Sequence, residues 1–79
     1  MDKELAMLIV NAAIRSQREL GDIVPLIKEH CTPEEYNVLL LATGSAIYEA
    51  SLIMERVYDL HPKLKDEFEG RLNKFGRLC

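Results

Sequence analysis

The sequence predicts an all-α fold: a small bundle made of a long antiparallel helical hairpin and a short C-terminal helix, completed by dimerisation. Three observations carry this expectation. Apolar residues recur at three- and four-residue spacing nearly throughout, and no run of β-branched residues alternates with polar ones. A helix-start signature, Thr32-Pro33-Glu34-Glu35, stands near mid-chain, well clear of the next breaker at His61-Pro62. Both long segments are apolar on two sides, more than one stripe facing one core requires.

The first segment reads as helical over 2–20. Gly21, Asp22 and Pro25 then interrupt it. Asp22 can cap a second, short helix over 22–30, collinear with the first or gently bent from it. A single kinked helix is the other possibility, since proline removes one hydrogen bond without ending every helix. Leu5, Leu8, Ile9, Ala12, Ala13, Ser16 and Leu20 line one side, and Ile23 and Ile27 continue it in phase. This row is the expected core face.

The next helix is expected over 33–60, about 28 residues or roughly 42 Å. Thr32 supplies the cap, Pro33 suits the first helical position, and Glu35 stands where a capping box needs a carboxylate. One stripe, Tyr36, Leu39, Thr43, Ala46, Ala50, Ile53, Val57 and Leu60, thickened by Leu40, Ile47 and Met54, is expected to face the intrachain core. A last helix over 62–75 follows Pro62, with Leu64, Phe68, Leu72 and Phe75 on one face and Gly76 as its stop.

A second stripe on the 33–60 helix, Val38, Leu41, Ser45, Tyr48 and Leu52, lies roughly opposite the first. Met7, Val10 and Ile14 form a similar row on the first helix, extended by Gln17 and Gly21. These eight apolar and small residues, from Met7 to Leu52, are the candidate interface. A half-length final helix covers too little to hide them, and exposed apolar patches on small proteins mark contact surfaces. Two hairpins paired across a two-fold axis would make a four-helix bundle.

Composition narrows the function classes. Seventy-nine residues make one domain, 1–79, in which a lone core is marginal. The net charge of −3 argues against a nucleic-acid partner, whose phosphates demand basic surfaces. The apolar run Tyr36–Met54 carries Asn37, Thr43, Ser45, Glu49 and Ser51, which argues against a membrane span. No secretory signal is read at the start, and Cys31 and Cys79 are too few for a disulfide framework. A cytoplasmic protein is expected.

Chemistry-bearing residues do not assemble into a motif. His30-Cys31 beside Glu34-Glu35 contains metal-capable groups, but the carboxylates serve the cap and His61 is at the far end of the long helix. Ser16, Ser45 and Ser51 lack a nucleophile elbow, and the four glycines are scattered rather than gathered in a phosphate loop. Gly44, beside Ala42, Ala46 and Ala50, implies close helix packing over small side chains, or else room for a ligand between helices. No catalytic residue, metal or cofactor is assigned. The expected function is non-enzymatic: a homodimeric module that binds another protein or regulates one. The alternative is a ligand- or metal-binding bundle.

Overall fold

The computed structural model describes residues 1–67. Two helices of 28 residues each, α1 (Lys3–His30) and α2 (Pro33–Leu60), pack against each other as an antiparallel hairpin. A third helix, α3, follows, with residues 62–67 within the described part. No strand occurs among the described residues. The expected positions of Phe68, Leu72, Phe75, Gly76 and Cys79 lie outside them.

Local chemistry accounts for each helix end. Asp2 caps α1, its carboxylate accepting from the Leu5 amide at 2.8 Å, and Glu4 adds negative charge to the first turn. Lys28 and His30 place basic groups in the last turn, where the helix dipole favours them. Only Cys31 and Thr32 separate the helices. The Cys31 amide donates to the Ile27 carbonyl at 3.0 Å. Thr32 then opens α2 through a complete capping box. The Glu35 amide donates to Thr32 Oγ1 at 3.2 Å, and the Thr32 amide donates to Glu35 Oε1 at 2.9 Å. At the other end the His61 amide closes α2 on the Val57 carbonyl at 2.9 Å.

The break expected at residues 21–22 does not occur: α1 is one helix with Pro25 inside it. Proline costs a single ladder bond, the one its missing N–H would make to the Gly21 carbonyl. The residues packed toward α2 stay in phase across it, so tertiary packing holds the helix together. Asp22 is consequently an exposed mid-helix residue and not a cap.

Burial on α1 recurs at Ala6, Val10 and Ala13 and continues, half-buried, at Gln17, Leu20, Val24 and Ile27. On α2 it recurs at Thr43, Ile47, Ala50, Met54 and Val57. Alternating steps of three and four residues are the seam of helices that run side by side. Ala6, Val10, Val57 and Leu64 form the tightest cluster, with Met7, Ile14, Met54 and Tyr58 against it. Leu64 therefore plugs α3 onto the open end of the hairpin. A Lys3–Glu67 ion pair at 2.6 Å ties the same end from outside, though both groups are well exposed and its net worth is small.

The expected division of α1 into faces holds only in part. Ala13 of the expected core face is buried and Ile9, Leu20 and Ile27 are half-buried, but Leu5, Leu8, Ala12, Ser16 and Ile23 are exposed, while Val10 of the opposite row is completely buried with Met7 and Ile14 packed beside it. On α2 the expected core stripe splits. Thr43, Ala50 and Val57 are buried, whereas Leu39, Ala46, Ile53 and Leu60 are exposed on one flank. Small residues at Ala6, Ala13, Thr43 and Ala50 let the helix backbones approach, and this selects the seam over the bulkier leucine rows.

A polar network stands in the seam around Gln17. Gln17 Nε2 donates to the Ile47 carbonyl at 2.9 Å and to Ser51 Oγ at 2.8 Å, and the Ser51 hydroxyl donates to the same carbonyl at 3.3 Å. A one-turn slip of α1 against α2 would break both glutamine bonds, so Gln17 fixes register.

Two substitutions test this account by urea unfolding. Thr32→Ala should cost about 1 kcal/mol through the lost cap. Gln17→Ala should cost about 1–2 kcal/mol through two lost part-buried hydrogen bonds. An unchanged unfolding midpoint for Gln17→Ala would remove its register role.

Candidate functional site

The exposed flanks of the two helices meet in an open groove. Ile9, Ala12, Ser16 and Leu20 of α1 line one bank, and Ala46, Glu49 and Ile53 of α2 the other, over a floor of Ala13 and Ala50. The groove encloses about 490 Å³. Its shape follows from side-chain size. Ala12, Ser16 and Ala46 leave a shallow middle, while Ile9, Ile53 and Leu20 rise on either side of it. Helical periodicity extends the face in both directions. Leu39, Ala46, Ile53 and Leu60 recur every seven residues, two turns apart, and Leu5 and Ile23 continue the α1 bank. Leu5, Ile23, Leu39, Ile53 and Leu60 are between 42% and 65% exposed, far too wet for core positions.

Polar groups here have little to offer a ligand. The Ser16 hydroxyl donates to the Ala12 carbonyl at 2.9 Å, so it is satisfied within its own helix. Glu49 is the charged member of the lining.

A second apolar surface lies on the outer side of α2. Val38, Leu41 and Tyr48 are 68%, 74% and 62% exposed, Ser45 is exposed, and Leu52 is half-buried. The eight candidate interface residues therefore fall into two groups. The five on α2 share an outer stripe. Of the three on α1, Val10 is withdrawn into the core, and Met7 and Ile14 pack beside it. Leu5, Ala12, Ser16, Ala46 and Ile53 are exposed where the sequence rows place them inward, whereas Ile9 is half-buried and packs against the core cluster. The signal against that assignment was Ser16, a polar residue in the middle of a supposed core row.

α2 as a whole is poorly covered. It is long and apolar enough by length and composition to cross a bilayer, with a mean hydropathy of 1.4 in its most apolar window, yet only 11% of that window is buried.

The residues considered for chemistry stay apart. His30 is exposed at the end of α1 and Cys31 is half-buried in the connection. His61 lies at the opposite end of α2, where its Nε2–H donates to the Met1 carbonyl at 2.9 Å. Among the described residues no three His, Cys, Asp or Glu side chains are grouped to hold a metal ion. Ser51 is engaged in the Gln17 network. A Cβ added to Gly44 would meet nothing within 4 Å among the described residues, so Gly44 seats no neighbouring helix there.

No protein-family model, no curated protein and no solved structure matches the chain, so the functional reading rests on the geometry of these two surfaces.

Proposed function

We propose that this chain is a non-enzymatic protein–protein interaction or regulatory module that acts as a homodimeric helical bundle in the cytoplasm. The observation that supports it is the surplus of exposed apolar side chains on a two-helix hairpin. Domains are ordinarily two packed layers around a core. Here one layer leaves twelve large apolar side chains exposed among the described residues, against six buried apolar ones, three of them alanines. Each large side chain is worth about 1.5–3 kcal/mol when fully buried, and small domains have little stability to spare. A second hairpin supplies the missing layer.

The groove gives the ligand-binding alternative its one favourable observation, since its volume falls within the range of small-molecule sites. Such sites enclose their ligand and aim several polar groups at it. This groove is open, and its serine is already paired. A bilayer would cover α2, but it would also have to accept Glu49 and the polar side chains along the same helix.

Sedimentation equilibrium of the purified protein at tens of micromolar tests the homodimer. The expected mass is twice that of the chain. A single 9.0 kDa species across the concentration range would refute the proposal.

A further inference from the structure

We infer that the second copy of this chain seats on the groove face, hairpin against hairpin, and not on the outer stripe of α2; the inference rests on the homodimer reading above. Area separates the two surfaces. The groove face runs from Leu5 to Ile23 on α1 and from Leu39 to Leu60 on α2, about 30 Å long and together about 20 Å wide, and so offers on the order of 600 Å² per partner, at the lower end of the range for specific interfaces. The outer stripe runs only from Val38 to Leu52 along one helix. That is about 21 Å by about 10 Å, on the order of 200 Å² per partner and within the range of incidental packing contacts.

Shape and polarity agree with the area. Ala12, Ser16 and Ala46 keep the middle of the face low, so a second layer can approach to the 8–10 Å axis separation typical of packed helices. A two-fold axis through that low middle sets the bulky ends, Leu5 with Ile53 and Ile23 with Leu39, around it. Burying Ser16 strands no donor, because its hydroxyl already donates to the Ala12 carbonyl. Glu49 is exposed and takes the margin, in contact with water. Val38, Leu41 and Tyr48 then remain on the outside of the dimer.

The test compares Ser16→Arg and Ala46→Arg in the groove with Leu41→Asp on the outer stripe, by sedimentation equilibrium, with circular dichroism checking that each variant is helical. Both groove variants place a charge at the middle of the proposed interface and should weaken the dimer by about a hundredfold or more. Leu41→Asp should dimerise like wild type. Hydroxyl-radical footprinting of the unaltered protein gives a second readout that no misfolded variant can confuse. Raising the concentration should protect Leu39 and Ile53 while Leu41 and Tyr48 stay reactive. A wild-type dimer whose groove variants bind with unchanged affinity, or one that protects Leu41 and Tyr48 instead, would overturn this inference and leave the homodimer standing. A monomeric wild type, including one whose groove is protected at every concentration, would overturn both.

Discussion

The turn between the two long helices sets everything downstream. His30 ends one helix and Pro33 begins the next, so Cys31 and Thr32 alone reverse the chain. Such a short connection restricts the helices to a few relative geometries, among which the small residues of the seam select one. The capping box fixes where α2 begins, and with it the phase of every later residue. From there the seam runs through Val24, Leu20 and Gln17 to Ala6 on one helix, and through Thr43, Ile47 and Ala50 to Val57 on the other. Gln17 holds the midpoint against slippage through its bonds to Ile47 and Ser51. Leu64 closes the far end.

That seam is narrow because its residues are small. Alanines and a threonine draw the helices together but bury little area, and the larger side chains are left on the flanks. The same choice that makes the hairpin close-packed therefore makes it an incomplete core. Leu39, Ile53 and Leu60 on α2, with Leu5 and Ile23 on α1, are the apolar surface the seam did not use. The packing of the hairpin thus leaves apolar surface in contact with water, and the groove is where it leaves both helices open together.

The helix boundaries were legible wherever one residue dictates backbone geometry. Thr32, Pro33 and Glu35 announced the start of α2, and His61-Pro62 announced its end. Pro25 was harder to judge, because its cost is small and the packing that outweighs it is not local. The faces of α1 were legible only in part: Ala13, Leu20 and Ile27 turn inward as their row predicts, but Leu5, Leu8 and Ala12 do not. Its Leu5–Leu8–Ala12 row and its Val10–Ile14 row are comparably apolar, and periodicity alone treats them alike. Side-chain bulk favoured the leucines for the inside, whereas close helix approach favours alanine, and Ala6 carries no signal of size. Apolar surplus was thus visible in the sequence, while its location required the short turn to be seen in three dimensions. Gly44 illustrates the converse: a conspicuous residue in the sequence whose added Cβ would meet nothing among the described residues.

If the hairpin depends on a second copy for its missing layer, its folding and its association are one equilibrium, and its stability depends on how much of it is present. Thermal unfolding followed by circular dichroism over a hundredfold range of protein concentration measures this directly. For two coupled chains of this size the midpoint should rise by roughly 5–10 °C across that range. A midpoint that stays constant, with a single reversible transition, would mean that each chain folds alone and that the apolar faces are not held by a partner.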